Sequence, residues 1–455
     1  MSNRTYLEEE RFKASRLPDF LSNSLSRLKE NGHSAYIVGG AIRDVCLQRK
    51  ITDWDVVTSA SKREIGNIFS NLRHFSLKHE TITLVDKEAN YEITPFRGGH
   101  GLGDPVSDLG HRDFTINAMA YDPVSEVFID PHEGRADLKK KLIRAVGDPG
   151  ERFEEDPLRL LRGIRLASEL YFNIEKKTWN AIPLLAPRLH DVARERIRDE
   201  LVKILMLPKP SPGFRLMRRA GLLQIILPEL LEGYRRQQNK HHRFTVYRHI
   251  LETIDMTEPE VRLRLTALFH DIAKPRVREK SEGAWRFIGH EQAGADMTQE
   301  IMKRFRFSND EIRDVTHLIK YHMINYDSSW SDGAVRRFIR RIGPEMVSDL
   351  ISFRKSDLIA HGSEDKGNNI LSELEERVGN TLRAKTLGIN KSLAIDGNKV
   401  MEILGIEPGP EVGKILQDLL ERVTDQPELN NELDLIRILK NHFKTSPQDQ
   451  SSDFA

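Results

Sequence analysis

One stretch constrains this chain more than any other. Tyr36-Ile-Val-Gly-Gly-Ala-Ile-Arg-Asp44 reads as an apolar strand, a Gly39-Gly40 turn and a helix carrying Arg43, with Asp53-Trp54-Asp55 close behind. In a strand, residues i and i+2 face the same side, so Asp53 and Asp55 would present both carboxylates to one spot. Adjacent carboxylates repel unless a cation lies between them, and oxygen-only ligation suits Mg²⁺. Gly39 and Gly40 would let backbone amides approach a phosphate closely. An isolated Asp-x-Asp is more often a solvated loop, and Gly-Gly more often only a tight turn. Both together, after an apolar strand, point to metal-assisted phosphoryl or nucleotidyl transfer.

A chain of 455 residues exceeds a single core, and roughly three domains are expected. Lys plus Arg (70) nearly balances Asp plus Glu (69), so any polyanion site must come from local clustering. Cys46 is the only cysteine, which excludes an intrachain disulfide framework and fits a reducing cytoplasm. Its apolar neighbours Val45 and Leu47 suggest a buried thiol. No apolar run is long enough for a membrane span, and the polar N-terminus lacks a signal-peptide core. A soluble, cytoplasmic protein without a membrane partner is expected.

Residues 1–33 read as a charged helical lead-in. From 34 to 150, short β-rich runs (Tyr36–Val38, Asp55–Val57, Thr81–Val85, Tyr91–Pro95, Ala118–Tyr121) alternate with helices, giving an α/β unit with a mixed sheet. After Gly150 the strand signals disappear. Residues 151–228 read as helical, broken around Pro208, Pro210 and Pro212. A His-rich helical block spans 229–375 and a further helical segment 376–445, and the polar tail 446–455 is expected to be disordered. The fold class is therefore α+β, with a mixed-sheet N-terminal domain followed by all-α domains.

Three further constellations carry chemistry. Arg112-Asp113-Phe-Thr-Ile-Asn117-Ala-Met-Ala-Tyr121 follows a Gly-rich loop and enters an apolar strand. Arg112 can reach a triphosphate or a ribose, and Asp113 and Asn117 can bond sugar hydroxyls or brace the turn. A capped strand start fits the same residues. Glu154-Glu-Asp156-Pro-Leu-Arg159-Leu-Leu-Arg162-Gly-Ile-Arg165 predicts a helix opening at Pro157. Asp156, Arg159, Arg162 and Arg165 would lie on one arc, with Leu160, Leu161, Ile164 and Ala167 opposite, toward a core. Three guanidiniums on one face repel unless they meet an anion, and their forks suit phosphate or a base edge; a solvated face is the alternative. Finally, His249, His270, Asp271, His290, His322 and Asp357 suit a divalent transition metal or Mg²⁺, with His270-Asp271 closing the apolar helix Leu263–Phe269. His241, His242 and His317 fall to the surface or behind the ligands, and Glu92, in the strand Tyr91–Pro95, could add a third carboxylate but reads more readily as solvent-facing and is left out of the site.

These residues, taken in order, resemble the bacterial (class II) tRNA nucleotidyltransferases and their poly(A) polymerase relatives. The head signature Gly-Gly-x-x-Arg-Asp plus Asp-x-Asp is matched by Gly39, Gly40, Arg43, Asp44, Asp53 and Asp55. The Arg-Asp-Phe-Thr-x-Asn-Ala motif falls at 112–118, and Asp130-Pro-His-Glu-Gly134 to Ile143-Arg144 is similar to the segment joining head to neck. Glu155, Asp156 and Arg159 match the Glu-Asp-x-x-Arg motif. The likeness covers 34–225, and the His cluster looks like an HD domain, the metal-dependent phosphohydrolase superfamily. The resemblance implies a polymerase-β-like head, a neck, an HD domain and a C-terminal helical domain. It makes Asp53 and Asp55 the catalytic Mg²⁺ ligands. It places Gly39, Gly40, Arg43, Arg112, Asp113 and Asn117 around the nucleotide. Asp156 and Arg159 would read the base, supported by Arg162 and Arg165, and the six HD residues would hold a second divalent metal. tRNA would be the partner, with CTP, and ATP where the full CCA is built.

His111 departs from the family pattern, standing where a first arginine precedes Arg112. The segment Arg97–Gly110 is also short, as in the CC-adding subgroup, whereas full CCA-adding members carry a longer loop that helps switch from CTP to ATP. CC addition therefore ranks ahead of CCA addition, and A-adding or polyadenylating activity below both. A basic track for tRNA is sought in Arg188, Arg194, Arg196 and Arg198, and in Arg336, Arg337, Arg340 and Arg341, although solvated helix faces explain each singly. The competing readings are an HD phosphohydrolase with a remnant head and a non-catalytic RNA-binding module. The intact Asp53/Asp55 pair argues against both.

Overall fold

The computed structural model describes residues 17–51, 53–72, 74–76, 81–86, 90–97, 104–238, 244–281, 284–361, 364–383 and 393–442. It comprises two compact units, Met1–Pro228 and Glu229–Ala455. Residues 1–16 of the lead-in, His241, His242 and the polar tail lie outside the described residues.

The first unit is built on a seven-stranded sheet. Its strands are β1 (Ala35–Val38), β2 (Trp54–Thr58), β3 (His74–Ser76), β4 (Ile82–Val85), β5 (Asn90–Pro95), β6 (Ala120–Asp122) and β7 (Val127–Ile129), in the order β3-β4-β5-β2-β1-β6-β7. Only β2 and β5 run parallel; every other pairing is antiparallel. The central strands are apolar because helices cover them: Leu21, Leu25 and Leu28 of helix Asp19–Glu30 are fully buried, at a spacing that puts them on one helix face. The register puts Asp55 of β2 between Val38 of β1 and Glu92 of β5.

Strands β3 and β7 were not expected. Three residues hold too few alternations to carry a period-2 signal, and Val127 of β7 faces solvent. For the same reason the domains after Gly150 are not strictly all-α. Strand β9 (Asn173–Ile174) pairs in parallel with β8 (Leu142–Ile143), and β10 (Glu279–Ser281) forms a hairpin with β11 (Ala284–Arg286). The arginine-bearing helix also begins later than expected, at Arg159 rather than Pro157. Asp156, preceding a proline, is pushed to extended backbone (φ −148°, ψ 97°), so it separates helix Pro149–Glu155 from helix Arg159–Leu170. Leu160, Leu161, Ile164 and Ala167 are buried as the periodicity requires. Cys46 is half-buried at the end of helix Gly40–Cys46, not enclosed.

Among the described residues of the second unit, helices Val246–Met256, Val261–Phe269, His290–Arg304, Asn309–Tyr321 and Val347–His361 pack on one another. A separate small core of Val400, Leu419, Val423, Leu435 and Leu439 holds the last helices together. The arginines at 336, 337 and 340 do not form an open basic track. Arg336 donates to the carbonyls of Thr424 and Asp425, Arg337 pairs with Asp425, and Arg340 donates to Thr424 Oγ1 at 2.5 Å and the Leu420 carbonyl at 3.3 Å. Arg336 satisfies open C-terminal carbonyls of helix Pro410–Asp425, and all three cations oppose its dipole. No described helix is long and apolar enough to cross a membrane.

Candidate active site

The turn after β1 brings the sheet's polar residues together. Gly39 sits at φ 77°, ψ −140°, and a Cβ there would lie 3.1 Å from both Asp55 Oδ2 and Arg112 Nη1. Only glycine gives that backbone and that clearance. Asp53 lies just before β2 rather than within it and is exposed, while Asp55 and Glu92 stand side by side on paired strands. Burial raises the Asp55 carboxyl; the nearby Asp53 charge adds to the shift, and Arg112 partly offsets it. Glu92 is likewise raised, by burial and then by Asp55 and Asp53. Asp53, Asp55 and Glu92 repel one another at this corner, and carboxylate oxygens are the donors a hard divalent cation takes. Glu92 is exposed, as the sequence suggested, and the parallel β2–β5 register sets it beside Asp55.

A buried network links this corner to the following helices. Arg43 is gripped by Asp44 and donates from Nη1 to Asn117 Oδ1 at 3.0 Å. Asn117 lies in a 3-10 turn, Thr115–Asn117, that intervenes before β6 and replaces the direct strand entry expected there. Its amide donates to Asp113 Oδ1 at 3.2 Å, and the other Asp113 oxygen accepts from Arg162 Nε at 2.8 Å. Burial alone would raise the Asp113 carboxyl. Arg162, with hydrogen bonds from Asn117 and the Phe114 amide, outweighs it and holds the group below its ordinary value. Gly163 in the same helix lets Phe114 pack against the backbone: a Cβ there would sit 2.9 Å from the ring.

Gly39, Gly40, Asp55, Arg112, Asp113, Asn117, Asp156, Arg159 and Arg162 line one polar cavity together with Arg97, which the sequence did not single out. Arg112 is braced by the buried Asp108 at 3.2 Å. Arg159 is held by Glu155 and by the carbonyls of Arg152 and His111. Arg43 stands just behind Gly40. Arg165 is not a lining residue; Glu200 and Glu169 hold it at 2.8 and 3.1 Å. At about 100° per residue, Arg165 is rotated by about 120° from Arg159, enough to leave the cavity.

The second unit gathers all six expected ligands of the His cluster. The Nε2 atoms of His249 and His270 are 3.2 Å apart, and those of His290 and His322 are 3.3 Å apart. Asp357 Oδ1 is 2.9 Å from His249 Nε2, and Asp271 is 3.3 Å from His270 Nε2 and 3.6 Å from His290 Nε2. The Nδ1 atoms of His270, His290 and His322 each face a backbone carbonyl at 2.7–3.0 Å, which aims Nε2 inward. His361, unforeseen, joins the group beside Asp357. Burial pushes His249 down to about 4 and His322 to about 3. For His270 burial works the same way, but Asp271 and Asp357 prevail and push it up to about 9. Asp271 Oδ1 is buried without a hydrogen-bond partner. Three imidazoles held neutral, His249, His290 and His322, face two ionised carboxylates with Asp271 Oδ1 unsatisfied, a donor set that suits a divalent metal. His317, by contrast, bonds the Ile342 carbonyl at 2.7 Å and takes no part.

The chain matches three protein-family patterns: a Poly A polymerase head domain over residues 35–144, a probable RNA and SrmB-binding site of polymerase A over 171–233, and an HD domain over 240–351. It is 31% identical over 407 residues to a CC-adding tRNA nucleotidyltransferase of Thermus thermophilus, covering 85% of this chain and 89% of that one. It is 30% identical over 424 residues to a CCA-adding enzyme of Streptococcus pyogenes, covering 90% and 94%. In fold it is similar to the crystal structure of the Bacillus stearothermophilus CCA-adding enzyme in complex with CTP, with a TM-score of 0.70, 24% identity and coverage of 93% and 96%.

Proposed function

The chain belongs to the tRNA nucleotidyltransferase family, with a poly(A)-polymerase-type head and an HD domain, and on that premise we propose that it adds two CMP residues, without a nucleic-acid template, to the 3′ end of tRNA. It is an enzyme of divalent-metal-dependent nucleotidyl transfer. The carrying observation is that Asp55, Arg112, Asp156 and Arg159 line a single cavity. Asp53 and Asp55, with Glu92 beside them, would hold Mg²⁺, which would polarise the α-phosphate and favour ionisation of the attacking hydroxyl. The tRNA 3′ oxygen forms the new bond to the α-phosphorus of CTP, and the bond to pyrophosphate breaks. Arg112 and the amides of the Gly39-Gly40 turn neutralise the triphosphate. Asp113, Asn117 and Arg43 brace that corner. Asp156 accepts from the exocyclic amino group of the base while Arg159 donates to its ring nitrogen or carbonyl. Arg162 adds charge beside them, and Arg165 supports the helix from behind.

The short segment from Arg97 to Gly110 favours arrest after CC over completion to CCA; residues 98–103 of it lie outside the described residues. A tRNA transcript ending at the discriminator base, given CTP and ATP with Mg²⁺, should gain two cytidines and stop, and a transcript ending in CC should gain nothing. Completion to CCA overturns the CC reading. No incorporation, with Asp53→Ala/Asp55→Ala as the blank, overturns the transfer reading. A second activity, metal-dependent phosphohydrolysis by the HD cluster, is favoured by the converging Nε2 atoms and the unsatisfied Asp271 oxygen. With a single cysteine and no membrane-length helix among the described residues, we place the protein in the cytoplasm.

A further inference from the structure

We propose that Arg196 is a specificity-positioning residue of the nucleotide site: it fixes the orientation of the carboxylate that reads the base, rather than contacting the tRNA backbone. The proposal rests on the assignment of Asp156 to base reading made above. Arg196 lies near the start of helix Arg194–Leu205, which packs on helix Arg159–Leu170. Its guanidinium reaches across to Asp156 as a fork, Nη1 to Oδ1 at 3.2 Å and Nη2 to Oδ2 at 2.9 Å.

Asp156 needs such a fork because its own backbone does little to hold it. The residue sits in the break between two helices; its carbonyl accepts from the Arg159 amide at 3.0 Å, but its side chain has only one other hydrogen bond among the described residues, from the Leu158 amide to Oδ1 at 3.2 Å. A carboxylate offers about four acceptor positions. Leu158 and Arg196 take both on Oδ1, and Arg196 takes one on Oδ2. One remains, on Oδ2, for an amino donor. Cytosine and adenine carry that donor; uracil does not.

Without Arg196 the carboxylate is free to rotate toward other cations. Arg162 already feels the Asp156 charge, and Arg159, held by Glu155 and two carbonyls, stands in the same cavity. Capture by either would consume the acceptor the base needs. The pair itself adds little to folding, because the Arg196 and Asp156 side chains are 53% and 28% exposed and solvent screens them. Its value lies in orientation. An arginine already neutralised by a forked carboxylate is also a weak phosphate contact, which argues against the basic-track role expected of it.

The test compares wild type, Arg196→Met, Arg196→Lys, Asp156→Ala and the Asp156→Ala/Arg196→Met double variant. kcat/KM is measured for CTP and UTP, together with KM for tRNA. Arg196→Met should lower kcat/KM for CTP about tenfold, lower it far less for UTP, and leave KM for tRNA unchanged. Lysine, a point charge without a fork, should restore part of the discrimination. In the Asp156→Ala background, Arg196→Met should cost nothing further. A raised KM for tRNA, equal losses for CTP and UTP, or losses that multiply in the double variant would overturn the proposal. A wild type that transfers no CMP removes the nucleotide-site reading itself, and this inference with it.

Discussion

Replacing Gly39 with alanine tests the geometry of the β1 turn at its tightest point. The backbone at φ 77°, ψ −140° is close to a conformation reserved for glycine, and forcing a side chain into it costs on the order of 1–3 kcal/mol. The added Cβ would also lie 3.1 Å from Asp55 Oδ2 and from Arg112 Nη1, so both must give way by a few tenths of an ångström. Displacements of about 1 Å in a catalytic constellation cost roughly a hundredfold in rate, so a smaller shift of two groups at once corresponds to a loss of about ten- to a hundredfold. Taking about 2 kcal/mol for the backbone, the melting temperature of a unit this size falls by about 4–8 °C. Gly40→Ala is the comparison for stability: Gly40 has ordinary φ, and its Cβ would meet the Arg43 guanidinium, nearest at Nη2, 3.4 Å away. Thermal melting and steady-state CMP incorporation read the two effects separately. If Gly39→Ala melts with the wild type and transfers CMP at the wild-type rate, the close approach of turn, carboxylate and guanidinium described above is wrong.

Four other outcomes follow from the same geometry. Burial and mutual repulsion raise the Asp55 and Glu92 carboxyls, so the folded protein binds protons there at a pH where the unfolded chain has released them. Stability of the metal-free protein therefore falls as pH rises through that range, while Mg²⁺ dependence of transfer strengthens. Glu92→Gln should weaken the Mg²⁺ requirement curve about tenfold without lowering the metal-free melting temperature at neutral pH; an unchanged Mg²⁺ titration would count against the third carboxylate. Asp113→Asn unpairs Arg162 inside a buried network, and chemical denaturation should show a loss of about 2–3 kcal/mol, less than for a fully enclosed pair because Arg162 is partly exposed. In the second unit, Mn²⁺ should raise the melting temperature of the wild type, and Asp271→Asn should abolish that rise; an equal rise in the variant would place the metal elsewhere.

Local pattern carried the strand–Gly-Gly–helix corner, the buried face of helix Arg159–Leu170, and the His and Asp residues of the second unit. Each depends on near neighbours or on side-chain chemistry uncommon enough to be noticed. What escaped depends on pairing between distant elements. Glu92 alternates along its strand like any exposed glutamate, and only the register against β2 sets it beside Asp55. Arg196 and Arg336 sit on helices with ordinary basic faces, and only tertiary contact shows one holding Asp156 and the other a helix end. His361 stands one turn beyond Asp357, and the i,i+4 spacing puts both on one helix face, so this member was legible once Asp357 was placed on a helix. Arg165 erred the other way: a stripe of three arginines reads as one face, yet helical drift divides it.

The contact between Phe114 and Gly163 acts as a mechanical spacer. One aromatic ring, seated where a side chain would otherwise stand, sets how near the arginine-bearing helix can come to the sheet corner. A separation fixed by the thickness of a ring does not relax when ions screen charges or when protons bind. The cleft therefore keeps its calibre over a range of salt and acidity in which the charged groups lining it are retuned.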